Sequence, residues 1–222
     1  MSDNQSFPYD EQSGASLQRS LSPERFSRYL EASNGDPKAA LRLYTWNCQV
    51  ASALYGPLQT LEVTLRNSVH DALSPSKGAR WFSNAQLMKG PDLRRVADAE
   101  QDVRSRGVDN PSPGDIVGTL SFGFWVGLFA KSYDQELWRV HLYKCFHPRP
   151  RRNDLHENLD EIRKVRNRVA HHEPIYHRLL LADYERILDV IGALSPDIRV
   201  WVEHHSRFLD VFTQSPSDVD RF

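Results

Sequence analysis

Residues 54–73, LYGPLQTLEVTLRNSVHDAL, decide the fold class. Leu54, Leu58, Leu61, Leu65, Val69 and Leu73 recur at steps of three and four, which gathers them on one stripe of a helix. Pro57 has no amide hydrogen to give and crowds the preceding turn, so a kink or a fresh helix is expected near it.

The same signal extends outward in both directions. Ser22-Pro23, Asp36-Pro37 and Ser195-Pro196 each set a capping side chain before a proline at the first helical position, where its missing N–H costs nothing. Leu155, Leu159, Ile162, Val165 and Val169 form another stripe, which Pro174 should end. Further helices are expected over about 92–106, 134–146, 178–194 and 196–212. Residues 116–130 read as one apolar core helix in which Gly118, Gly123 and Gly127 permit close packing around Phe122, Phe124 and Trp125. Apolar/polar alternation of strand length is absent. The expectation is an all-α fold, an antiparallel helical bundle in one domain over 22–213. A disordered tail is expected over 1–21 and a polar tail over 214–222.

Composition narrows the partners. Lys+Arg (28) and Asp+Glu (29) nearly cancel over 222 residues, leaving a net charge of −1. Proteins that coat nucleic acid carry a basic excess, so any such contact here must come from a local patch. Cys48 and Cys145 sit among apolar neighbours without metal-ligand spacing, which points to buried thiols in a reducing cytoplasm. The first 20 residues lack a basic region followed by an apolar one, so no secretory signal is expected. The stretch 116–130 is shorter than the roughly 20 residues of a bilayer span, and no membrane partner is expected.

The chemistry concentrates at the end of the last-named stripe, in RNRVAHH at 166–172. Val165 and Val169 belong to the buried stripe, which places Arg166 and Asn167 at its edge. His171 follows at the helix end, so an arginine and a histidine can converge on one small anion there. Asn167 can orient either side chain. Metal-free RNA cleavage needs such groups: the ribose 2′-hydroxyl is the nucleophile, a histidine titrates near neutrality to move protons, and a guanidinium fork meets the charge developing on phosphorus. The plain structural alternative has His171 capping carbonyls and Arg166 paired with Glu161 or Glu173.

These residues carry a resemblance. R-N-x-x-x-H fits the R-x(4–6)-H signature of HEPN domains, and two further segments resemble the Abi-like (abortive infection) protein family: LYTWNCQVASALYGPLQTLEVTLRNSVHDAL at 43–73 and GDIVGTLSFGFWVGLF at 114–129. With RNRVAHHEPI, the likeness covers about 25–210 in order. It implies a HEPN-like bundle with additional helices and endoribonuclease activity in phage defence or a toxin–antitoxin system. It also implies RNA as substrate, an antitoxin protein as a possible partner, and a homodimer in which two Arg166/His171 pairs share one cleft. His172 also falls within the signature and ranks as a supporting residue.

Two more groups are candidates. Glu62, Arg66 and His70 stand at successive four-residue steps on one helix face, with Asn67 alongside. They form either an intrahelical ion pair or a buttress beside Arg166. Arg149, Arg151 and Arg152 follow His147 in HPRPRR, with Lys144 just before, a run that is either a solvated loop or a place for RNA backbone contacts. His172-Glu173-Pro174-Ile175-Tyr176-His177 is not the H-E-x-x-H of zinc proteases, Gly118, Gly123 and Gly127 have no following Lys-Ser/Thr of a P-loop, and no G-x-S-x-G occurs. No metal and no cofactor is expected. The competing reading is a non-catalytic helical module that binds RNA, a nucleotide or a protein.

Overall fold

The computed structural model describes residues 9–218. Among them there is no strand, and the fold is all-α. Helix α1 (Glu11–Ser20) and α2 (Pro23–Ala32) precede a long α3 (Pro37–Lys77). Then come α4 (Gly90–Ser105), α5 (Pro113–Thr119) and α6 (Phe122–Gly127), followed by α7 (Arg152–Ala170), α8 (Leu180–Leu194), α9 (Pro196–His205) and α10 (Phe208–Phe212).

Helix α3 is the spine. Its stripe from Leu54 to Leu73 is fully buried, and α2, α7, α8 and α10 pack along it. Neither Pro57 nor Pro75 ends it, so the fresh helix expected at Pro57 does not exist. An interior proline costs about 3 kcal/mol, but each buried leucine returns roughly 1.5–3 kcal/mol, and six stripe residues outweigh the break. All three Ser/Asp-Pro starts form as expected: Ser22 Oγ accepts from Arg25 N (3.4 Å), Asp36 Oδ1 from Lys38 N (2.8 Å) and Ser195 Oγ from Ile198 N (3.4 Å). Ser112, before Pro113, is a fourth, closing a capping box with Asp115.

Several expectations need correction. Residues 11–20 of the supposed tail are helical, capped by Asp10 (Ser13 N at 2.7 Å), with Leu17 packed on a second small core of Phe26, Tyr29, Ala40 and Leu41; the tail residues 1–8 lie outside the described residues. At the other end, Pro216–Asp218 of the polar tail forms a 3-10 turn against α3, and 219–222 lie outside the described residues. Residues 116–130 are two short helices and not one, because the chain is extended at Leu120 and Ser121, and Trp125 Nε1 donates to the Leu120 carbonyl (3.2 Å) in place of a helical amide. Residues 134–146 form a π turn at Asp134–Trp138 and a 3-10 turn at Leu142–Cys145.

The helix expected over 196–212 also divides, at Ser206 and Arg207, into α9 and α10. The glycines of α5 and α6 are not there for close packing. A methyl group at Gly118 would meet nothing within 4 Å, and at Gly123 and Gly127 it would make only ordinary contacts. Cys48 and Cys145 are free thiols, half-buried, on separate elements; burial raises both, Cys145 to about 11. No helix among the described residues is long and apolar enough to cross a membrane.

Candidate active site

Helix α7 buries Leu155, Leu159, Ile162, Val165 and Val169 as its spacing requires, which leaves Arg166 at the edge of the seam with α3. There Arg166 Nε donates to Glu62 Oε2 at 3.2 Å. Of the two readings of this face, an intrahelical Glu62–Arg66 pair or a buttress beside Arg166, the pairing between helices is the one formed. Both side chains are partly exposed, so the pair contributes about 1 kcal/mol or less to stability. Its geometric effect is larger. The carboxylate holds the inner edge of the guanidinium, and Nη1 and Nη2 make no hydrogen bond to a described residue.

This contact sits in a cleft of about 370 Å³. Its α3 wall is Tyr55, Leu58, Gln59, Glu62, Val63 and Arg66; its α7 wall is Arg166, Val169 and Ala170. Arg66 is loosely engaged: Nη1 reaches the Gly118 carbonyl at 3.4 Å and Nε is buried without a partner. Two guanidiniums against one carboxylate leave the cleft electropositive, which suits an anion.

The chain beyond Arg166 turns sharply. His171 caps α7; His172 N donates to Val169 O (3.2 Å) and Glu173 N to Arg168 O (2.8 Å), the paired bonds of a Schellman turn. The residue in the left-handed position of that turn is usually glycine, and here it is His172, with φ 56°. A side chain there costs about 1–2 kcal/mol. The turn is held from three sides. Arg25 Nη1 of α2 donates to His172 O (3.2 Å) and Arg168 Nη1 to Pro174 O (3.3 Å). Buried Asn47 of α3, only 5% exposed, accepts from Ile175 N (2.8 Å) and Tyr176 N (3.1 Å) with one oxygen. Tyr176 Oη then donates to Arg28 O (3.0 Å). Partial desolvation and the Arg168, Arg178 and Arg28 cations hold His177 below the usual histidine range.

The candidate residues therefore separate. Arg166, Glu62 and Arg66 meet in the cleft. His171 and His172 are exposed, hydrogen-bond through their rings to no described residue, and do not line it. At 3.6 residues per turn, His171 projects roughly 140° around the helix from Arg166. Asn167 and Asn67 also lie off the cleft wall. His70 is committed elsewhere, accepting from the buried Trp81 indole at 3.2 Å. Arg166 pairs with neither Glu161 nor Glu173: those carboxylates hold Lys164 and Arg178, and Arg168, respectively.

The basic run lies at the other end of α7, about 21 Å along the axis from Arg166 to Arg152 at 1.5 Å per residue. Arg152 is largely spent on the protein: its side chain is 11% exposed, bonded to Phe129 O (2.6 Å), to Asn153 and to Asp134 (3.3 Å). Arg149 lies over the Tyr143 ring at 4.0 Å, with Lys144 nearby at 5.7 Å. Arg149 and Arg151 border a broad groove shared with Lys131 and Arg139.

Asn47, Arg25, Tyr55 and Gln59 were not legible as site residues. The first two act on backbone more than 120 residues away in sequence (Asn47 to Ile175 and Tyr176, Arg25 to His172), which no local pattern encodes. Among the described residues, no group of three or more His, Cys, Asp or Glu side chains is placed to hold a metal ion. No protein-family model, curated protein or solved structure matches this chain.

Proposed function

We propose that this protein is a metal-independent endoribonuclease of HEPN type, acting in the cytoplasm in bacterial phage defence by abortive infection or in a toxin–antitoxin system. The observation that supports this most is Arg166. It stands near the end of the RNRVAHH helix, bonded through Nε to Glu62, and lines an electropositive cleft with outer nitrogens that bond no described residue. A guanidinium so fixed can take a phosphate oxygen bidentately and stabilise the charge of the phosphorane-like transition state. The free thiols Cys48 and Cys145 agree with a reducing compartment.

The reaction runs as follows in this reading. The ribose 2′-oxygen attacks the adjacent phosphorus while a neutral His171 imidazole takes its proton. The P–O5′ bond breaks, and the leaving 5′-oxygen receives a proton from a second, protonated imidazole. The products are a 2′,3′-cyclic phosphate and a 5′-hydroxyl. One chain carries one Arg166/His171 pair, and its His171 is angled away from the Arg166 cleft. A second copy, contributing its own pair across a two-fold axis, completes the base–acid set. His172 and Asn167 orient these groups, and Arg149 and Arg151 add backbone contacts. An antitoxin protein is the natural regulator of such an activity.

The test is incubation of the purified protein with RNA in EDTA, followed by end-group analysis. Cyclic-phosphate ends that disappear in both Arg166→Ala and His171→Ala support the reading. No cutting by wild type, or undiminished cutting by the variants, refutes it. The absence of either histidine from the cleft wall favours a second reading, a non-catalytic module that binds RNA, nucleotide or protein. RNA that is bound but uncut, with affinity unchanged by His171→Ala, would favour that module.

A further inference from the structure

We infer that the cleft beside Arg166 is a nucleobase subsite, with Tyr55 as its stacking platform and Gln59 as its hydrogen-bonding edge, for an unpaired nucleotide of single-stranded RNA. The inference rests on the ribonuclease reading and adds the class of substrate.

Tyr55, Gln59, Glu62 and Arg66 follow at steps of four, three and four, so they form one stripe of α3. Along that stripe the chemistry changes in order. Arg66 and the Glu62–Arg166 pair supply charge at one end. Gln59, next along, is exposed, and its amide makes no hydrogen bond to a described residue. Tyr55 comes last, on the rim, and is 62% exposed despite being one of the largest side chains in the molecule. Asn47 meets Ile175 and Tyr176 while Glu62 meets Arg166, so α3 and α7 run antiparallel and Tyr55 lies toward the His171 end of the seam.

An anion site, an amide and an open aromatic face in succession match a phosphate, a base edge and a base plane in turn. A cleft of about 370 Å³ is within the range of small-ligand pockets and too confined for a paired helix, in which the base faces are already stacked. Aromatic platforms beside positive charge are the usual means of holding single strands, because every base has a π-face. Val169 and Leu58 supply apolar lining to the same cleft.

The experiment measures binding of the full chain to a short single-stranded 2′-O-methyl oligonucleotide of mixed sequence, which cannot be cut at its blocked 2′-oxygens, and to the same strand with abasic sites. Tyr55→Ala should weaken binding of the base-bearing strand about tenfold, the scale of one lost base–aromatic stack. Tyr55→Phe should stay within about twofold of wild type, and the abasic strand should bind all three proteins alike. Wild-type affinity of Tyr55→Ala for the base-bearing strand overturns the subsite and leaves the ribonuclease reading standing. A change in sedimentation from dimer to monomer on Tyr55→Ala also overturns it, since the tyrosine would then be a contact with a second copy. Failure of wild type to bind either strand overturns the subsite and the ribonuclease reading together.

Discussion

The two ends of α7 carry similar side chains and use them differently. At the N-terminal end, Arg152 is enclosed and spent on the Phe129 carbonyl and Asp134, while Arg149 lies flat on Tyr143. At the C-terminal end, Arg166 is held by one carboxylate along one edge and keeps its outer nitrogens for something else. Arginine content alone makes the first end look like the nucleic-acid contact. Partners and burial reverse the ranking: the denser basic run is partly structural, and the sparser end holds the open cleft.

That contrast is exposed to several substitutions, beginning with the largest effect. Asn47→Ala removes the shared acceptor of two backbone amides and leaves the turn after α7 unfastened. Chemical denaturation should show a loss of about 2–4 kcal/mol, with RNA cleavage falling further than the unfolded fraction explains. Activity that simply tracks the folded fraction would mean that the turn's position does not matter to the site. Arg152→Ala should cost about 2–3 kcal/mol, because Asp134 loses a partly buried partner and the Phe129 carbonyl its donor. RNA affinity of the folded protein should stay unchanged; a large drop in affinity would restore Arg152 as an RNA contact and break the contrast.

His172→Gly works in the opposite direction. Glycine suits the left-handed position, so the variant should gain about 0.5–1 kcal/mol, seen as a higher Tm. Lower cleavage in that more stable protein would show that the imidazole, and not only the turn, serves the reaction. Glu62→Gln is the mildest change. Its partly exposed ion pair should account for no more than about 1 kcal/mol, while the freed Arg166 should raise KM or lower kcat measurably. Unaltered kinetics would mean that Glu62 does not position the guanidinium.

Much of this was legible in the sequence because it is local. The Leu54–Leu73 and Leu155–Val169 stripes state their own periodicity, and Ser22, Asp36 and Ser195 cap the helices they precede. Sequence left two readings of Glu62 and Arg66 open, an intrahelical pair or a buttress beside Arg166, and the Glu62–Arg166 bond between helices matches the second. What stayed hidden depends on distant partners. Pro57 reads as a break until the burial along α3 is counted, and 116–130 reads as one helix until Trp125 takes the Leu120 carbonyl. Asn47 looks like any polar residue in a helix, and only the fold brings Ile175 and Tyr176 to it. His172 has no sequence signature of its left-handed backbone, because glycine, the usual sign, is absent.

The central claim is that each chain holds half of a ribonuclease site, and a mixed dimer tests it most directly. Wild-type and His171→Ala chains, differently tagged and co-purified as a heterodimer, hold one His171 between them. RNA cleavage in EDTA should give cyclic-phosphate ends with the wild-type homodimer and be nearly absent from the heterodimer, because the base–acid set needs both imidazoles. A heterodimer that keeps about half of the wild-type rate, as two independent sites would, contradicts the shared site.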